Sequence, residues 1–166
     1  LRESQSTSFW YRHRARVLSL VLSRWPVPAL LDVGGSNGRL TSHLAAATAT
    51  ALLEPSVDGA AEGHRLGLGT VIRSPFADAG FHDGVLPGAG LFDVLEHVED
   101  DAGLLRDLHR SLAPGGRLFV TVPAHRWLWS EFDRTVGHQR RYSRPELTAT
   151  LEDAGFQVEV ASYLFS

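Results

Sequence analysis

The chain has no cysteine, no lysine and no methionine among its 166 residues. Without cysteine, disulfides, thiolate metal sites and cysteine nucleophiles are all excluded. That absence suits a reducing compartment, and a cytoplasmic location is the expectation. All 16 basic residues are arginine, which reads as the codon bias of a GC-rich genome rather than as a functional feature. No initiator methionine is present, and the last stretch, VEVASYLFS, reads as the middle of a strand; the expectation is a piece of a longer protein. No apolar run is long enough to span a bilayer, and no signal peptide is expected ahead of the first helical pattern. A formal net charge of −3 excludes the global basicity of a nucleic-acid binder. The length suits one domain with a proper core.

What is there alternates between two periodicities. Phe9 to Arg24 reads as a helix with Val17, Leu18, Val21 and Leu22 inward, stopped by Pro26 and Pro28. Ala29 to Val33 is a short apolar strand, Asn37 to Ala47 a helix, Ala49 to Glu54 a strand and Asp58 to Leu66 a helix ended by Gly67. Thr70 to Arg73 is a candidate third strand. A Gly- and Pro-rich stretch follows, read as loop whose later part enters a fourth strand before Leu91. Val98 to Leu112 is a helix with Leu104, Leu105, Leu108 and Leu112 on one face, ended by the run Ala-Pro-Gly-Gly. Arg117 to Val122 is a strand, Ser143 caps a helix over Pro145 to Glu152, and GFQVEVASYLF alternates as a last strand. Strands alternating with helices imply parallel pairing through right-handed crossovers. The expected fold is one doubly wound α/β domain, 1–28 forming a helical lid and 29–166 a Rossmann-like core. In such sheets a ligand sits at the carboxyl ends of the strands, beside the first.

The stretch LLDVGGSNGRL, from Leu30 to Leu40, is a buried strand breaking into a tight turn and a helix. A dinucleotide fingerprint spaced G-x-G-x-x-G would fall on Gly34, Ser36 and Arg39, so two of three positions fail. The spacing G-x-G-x-G falls on Gly34, Ser36 and Gly38, altered only in the middle. With Asp32 two residues before the first glycine, that pattern suits the amino-acid end of S-adenosylmethionine, which has no pyrophosphate to accommodate. Glu54 ends the second strand roughly twenty residues on, where an acid can accept both hydroxyls of a ribose.

Four segments in order, LLDVGGSNGRL, LLEPS, LFDVLEHVEDD and LAPGGRLFVTVPA, resemble the class I S-adenosylmethionine-dependent methyltransferases, and the resemblance covers essentially the whole chain. A later stretch, PA…LWS…D…GH.RRY, resembles a bacterial subgroup of the type 11/12-like group. The resemblance implies a seven-stranded sheet with a reversed final hairpin, of which this chain would lack the last strand. It implies that Asp32, Gly34, Gly35, Ser36 and Gly38 hold the methionine moiety and Glu54 the ribose. Phe92 and Asp93 would lie under the sulfonium, and S-adenosylhomocysteine would leave as product. Phe76 is either a purine contact or a core residue. Phe9, Trp10 and Tyr11 are lid candidates or simply aromatic anchors of an exposed helix end.

For the methyl acceptor, three readings of Asp93, Glu96, His97 and His138 stay open. Glu96 and His97 merely begin a helix; or His97 or His138 is a general base for a hydroxyl acceptor; or the four hold a divalent ion. The last, the least favoured, rests on a resemblance to the E-x-x-E-H plus distant His arrangement of metal-dependent O-methyltransferases, with Asp93 in place of the usual Glu. Arg140 and Arg141, interleaved with Trp129 and Tyr142, suggest an aromatic acceptor pocket with a cationic rim and a small, anionic acceptor. Alternatively these arginines pair with nearby acids. The expectation is transfer to oxygen on a small molecule, with no nucleic-acid partner and the oligomeric state left open. The rivals are a cofactor-binding but catalytically idle subunit and, on the same fold, a nicotinamide-dependent reductase.

Overall fold

A computed structural model of the chain describes residues 9–164, the Trp10 side chain excepted. Phe165 and Ser166, and Trp10 as a lid side chain, therefore lie outside the described part. Five strands, β1 (Ala29–Val33), β2 (Ala49–Leu53), β3 (Val71–Ile72), β4 (Leu86–Phe92) and β5 (Leu112–Thr121), form one sheet in the order β3-β2-β1-β4-β5. Every pairing is parallel. The order reverses between β1 and β4, and in doubly wound sheets ligands sit outside the carboxyl ends of the strands at such a point.

The helices lie in two layers, and the near-continuous apolar strands make both possible. Along β1, Leu30 belongs to one apolar cluster and Leu31 and Val33 to the other; along β4, Phe92 and Leu91 divide likewise. On one face α1 (Phe9–Arg24) and α2 (Arg39–Leu44) bury Ala15, Leu18, Leu22, Leu40 and Leu44. On the other, α4 (Asp101–Ser111) and α6 (Arg144–Asp153) bury Leu105, Leu108 and Leu151. The helix α3 (Val57–Arg65) joins β2 to β3, and α5 (Glu131–Val136) follows β5. Among the described residues no helix is long and apolar enough to cross a membrane.

The main departures from the periodicity lie in the second half of the chain. The α4 helix starts at Asp101 because Asp100 caps it, its carboxylate accepting from the Gly103 amide at 2.8 Å. The residues before it, Leu95–His97, make a separate 3-10 turn. Leu112 leaves the helix and opens β5, paired with Leu86; the next pair is Gly88 with Arg117, so Ala113 to Gly116 bulge out of the ladder. The alternating segment after Gly155 pairs with no strand among the described residues. Its period reports packing alone: Phe156 meets His109 edge-to-face, Val158 packs on the α4–α6 cluster and Glu159 holds Arg117 at 2.7 Å. The short α5 was not foreseen, although Ser130 and Asp133 spell a capping box and Gly137 ends it left-handed at φ 82°.

Leu108 is fully buried between α4 and the sheet. Leu108→Ala is expected to lower unfolding free energy by about 2–5 kcal/mol, read by urea denaturation, from lost burial plus the cavity left behind.

Candidate active site

Five acidic side chains gather along the carboxyl edge of the sheet and the segment beyond β5: Asp32, Glu54, Asp93, Glu96 and Asp133. All but Asp93 are buried. The loop after β1 turns left-handed at Gly34 (φ 71°), Ser36 (φ 53°) and Gly38 (φ 70°). Ser36 thus occupies a conformation that favours glycine, and its amide is tied down by donating to Glu54 Oε2 at 2.9 Å. The other oxygen of Glu54 accepts from the Ser56 amide at 2.8 Å, so this carboxylate clasps the loops after β1 and β2 together. Lone pairs remain on both oxygens for further donors. A Cβ on Gly35 would stand 2.6 Å from both Asp32 Oδ2 and Leu52 Cδ1. The loop therefore lies directly on the Asp32 carboxylate.

Asp32 Oδ2 accepts from Thr41 Oγ1 at 2.5 Å, while Oδ1 is buried with no hydrogen-bond partner. Burial pushes the Asp32 pKa up to about 6, against the opposing pull of the Thr41 hydrogen bond and the Arg14 charge. Arg14, reaching down from α1, forms an ion pair with Asp93. Asp93 is itself left-handed (φ 58°) and accepts from Thr121 Oγ1 at 2.9 Å. Sequence reasoning missed Arg14, Thr41 and Thr121, because only tertiary packing brings them to the acids they serve.

The remaining predicted residues divide sharply. Phe76 is a core residue, 8% exposed and stacked on Phe81 with ring centroids 5.4 Å apart. Phe92 is buried against the α1–α2 layer. Phe9 is 73% exposed and stacks on His13, whereas Tyr11 is half-buried, its hydroxyl pKa raised by burial. Asp93 stands apart from the grouping of Glu96, His97 and His138, whose ligand atoms lie within 4.8 Å of one another.

That grouping has a definite protonation pattern. His97 Nδ1 lies 3.2 Å from the Gly137 carbonyl, which can only accept, so Nδ1 carries the proton. His138 Nδ1 lies 2.7 Å from Asp133 Oδ1. Arg141 holds Asp133 in a two-pronged ion pair, Nε to Oδ1 at 2.7 Å and Nη2 to Oδ2 at 2.9 Å, and keeps its carboxyl well below the usual range. In its neutral form each imidazole therefore keeps Nε2 bare, away from these anchors. His138 Nε2 faces Glu96 Oε1 at 3.9 Å, and neither Glu96 oxygen has a hydrogen-bond partner. Burial pushes the Glu96 pKa up to about 7 and lowers that of His97. The cluster is rich in acceptors and poor in donors, a place for a proton or a cation.

Arg140 pairs with Asp101 at 2.7 Å and donates to the Glu99 carbonyl; the buried Tyr142 donates to Asp101 at 2.6 Å. Gln139 donates through its backbone to the Glu96 carbonyl and through its side chain to that of His97. The segment 137–142 is thus zipped onto 96–101. Beside it Trp129, Arg126, Arg140, Arg141 and Tyr142 line an open groove of about 750 Å³.

The strand order and the tight loop over a buried acid define the class, an α/β domain of the class I S-adenosylmethionine-dependent methyltransferase type. Residues 9–160 match the family described as methyltransferase domain, and the chain belongs to it. It is 28% identical over 159 residues to a probable S-adenosylmethionine-dependent methyltransferase of Mycobacterium tuberculosis strain H37Rv, covering 93% of this chain and 57% of that protein. It is 29% identical over 155 residues to a ubiquinone biosynthesis O-methyltransferase of Xanthomonas axonopodis pv. citri, covering 80% of this chain and 64% of that one. The chain thus spans about three fifths of the length of these curated relatives. Among solved structures it resembles the [4+2]-cyclase SpnF, with a TM-score of 0.76, 23% identity, and coverage of 93% of this chain and 61% of that one. That likeness shows the fold alone.

Two predictions follow from the loop. Gly35→Ala should cost about 1–3 kcal/mol of stability through the forced shift of Asp32 and Leu52. Ser36→Gly, which relieves a left-handed residue, should be neutral or stabilising by about 1 kcal/mol. Calorimetry and denaturation read both. The pH dependence of Asp32 has a definite sign. Its folded pKa lies above the unfolded value, so its contribution to stability is greatest below pH 4. That contribution falls by about 3 kcal/mol as pH rises through about 6. Asp32→Asn should flatten urea-derived stability between those two pH values; an unchanged slope would refute the assignment.

Proposed function

We propose that this domain binds S-adenosylmethionine and transfers its methyl group to a hydroxyl oxygen of a small molecule, releasing S-adenosylhomocysteine. The residues present fit that cofactor. The Gly35 cradle leaves no room for a side chain, Asp32 keeps one buried oxygen unpaired beneath it, and Glu54 stands at the next strand end with lone pairs to spare. Bound there, S-adenosylmethionine supplies an electrophilic methyl group, transferred as its C–S bond breaks and a C–O bond forms. Asp32, Gly34, Gly35, Ser36, Gly38 and Glu54 would hold it, with Phe92 and Asp93 at the end of β4.

One observation carries the choice of acceptor: His138 Nε2 faces the unpartnered Glu96 carboxyl at 3.9 Å, and a ring nitrogen of His97 joins them within 4.8 Å. A hydroxyl entering this acceptor-rich cluster donates to an Nε2 and loses its proton there as oxygen becomes the nucleophile. An amine attacks through a lone pair it already carries and has less need of such a base. Arg126, Arg140 and Arg141 already face Glu146, Asp101 and Asp133, so the charge along the groove is balanced. Trp129 and Tyr142 beside them suit an aromatic hydroxyl. The name of the Xanthomonas relative, an O-methyltransferase, points the same way.

A second reading has its own support. One carboxylate and two imidazoles with bare Nε2 atoms form a mixed O/N set suited to a divalent ion, which would lower the hydroxyl pKa at the same place.

Calorimetric titration with S-adenosylmethionine, S-adenosylhomocysteine and NADH tests the cofactor; binding of NADH alone would sink the proposal. Methyl transfer to catechol and other phenols tests the acceptor, and bound cofactor with no transfer to any of them would favour an idle subunit. His97→Ala and His138→Ala should each lower turnover by about 10²-fold or more while cofactor affinity stays within about threefold. If chelation by EDTA abolishes turnover and Mg²⁺ or Zn²⁺ restores it, the metal reading replaces the base reading.

A further inference from the structure

We propose that Asp133 is a positioning residue for His138, selecting the imidazole tautomer and aiming its Nε2 lone pair at Glu96 and His97. The proposal rests on the role given above to His138. Asp133 lies on α5, outside the sheet edge that carries the other acids, yet it is fully buried. Its Oδ2 serves the helix cap, accepting from the Ser130 amide at 2.8 Å and the Ser130 hydroxyl at 3.1 Å. Its Oδ1 takes no part in that cap. It accepts from Arg141 Nε at 2.7 Å and faces His138 Nδ1 at 2.7 Å.

A carboxylate so surrounded by donors can only accept, so the Nδ1 of His138 must be the donor. A neutral imidazole has one N–H; spending it on Asp133 leaves Nε2 bare. Orientation is set by the same residue. The backbone amide of His138 donates to the Asp133 carbonyl at 2.8 Å across the left-handed Gly137. Backbone and ring of His138 are thereby both referred to Asp133, and the ring meets His97 edge-to-face with centroids 4.7 Å apart. Arg141, a candidate in the sequence for either the acceptor rim or a nearby acid, holds both oxygens of this carboxylate. Such a carboxylate–imidazole pair fixes both tautomer and ring direction, whether Nε2 then receives a proton or a metal ion.

The plain alternative is that Asp133 only caps α5, and Ser130 separates the two. Ser130→Ala removes the cap's side-chain bond and should lower stability while leaving His138 as it was. Asp133→Asn keeps the shape but brings an amide N–H₂ among donors. It should shift His138 toward the Nε2–H tautomer and lower turnover of catechol by about 10–100-fold, with KM and cofactor affinity within about threefold. The tautomer is read from long-range ¹H–¹⁵N spectra of the labelled protein across a pH series carried up to the neutral imidazole; this readout needs no acceptor. A wild-type spectrum showing Nε2–H at His138 overturns the proposal without any variant. So does Asp133→Asn with an unaltered tautomer in a protein that His138→Ala cripples. His138→Ala with full turnover overturns the functional reading instead, and the positioning role falls with it.

Discussion

Everything in this domain depends on two parallel strands, β1 and β4, lying side by side between two helix layers. Buried on both faces, they can carry polar side chains at little cost only where they end. Both end on the same edge because they run the same way. Asp32 and Glu54 at one pair of strand ends, and Asp93 and Glu96 after the next, are therefore neighbours by topology before any of them is a partner in chemistry. Arg14 is the tertiary answer to that concentration of negative charge. It descends from α1 into the midst of these acids, and the apolar face of the same helix closes the layer beneath it.

Much of this was legible in the sequence, for identifiable reasons. The first helix and first strand have the predicted bounds because Pro26, Pro28 and the glycine loop punctuate them unambiguously. Ser143 was a readable cap because Glu146 follows it at capping-box spacing. Less was legible where two signals competed. The Ala-Pro-Gly-Gly run resembles a helix stop, yet Leu112 before it already pairs in the sheet; local turn chemistry could not report that the strand resumes across a bulge. The last alternating segment has a strand's periodicity, but period two records only which side chains are covered, not whether a neighbouring backbone is there to bond.

The site shows the same division. Gly35, Glu54 and the histidines stood out as candidates by residue type and spacing. The partners that set their states were not, because Thr41, Thr121 and Arg14 are ordinary residues made consequential by packing. Asp133 is intermediate. Its spacing from Ser130 announces a cap, and only the fold reveals that its second oxygen faces an imidazole. Arg140 and Arg141 illustrate the converse. Their clustering looks like an anion site in one dimension, and in three dimensions each has a carboxylate of its own.

The segment from Arg126 to Tyr142 is fastened to the rest of the domain largely by polar ties, to Asp101, to the Glu96 and His97 carbonyls and internally through Asp133, while Trp127 and Phe132 stand 78% and 65% exposed. The sheet and its two helix layers, by contrast, are cemented by apolar packing, where small changes of volume are felt throughout. The two halves of one small domain therefore tolerate substitution under different rules. Exposed side chains on the outer segment can be exchanged with little disturbance to the core, provided its few anchoring groups persist.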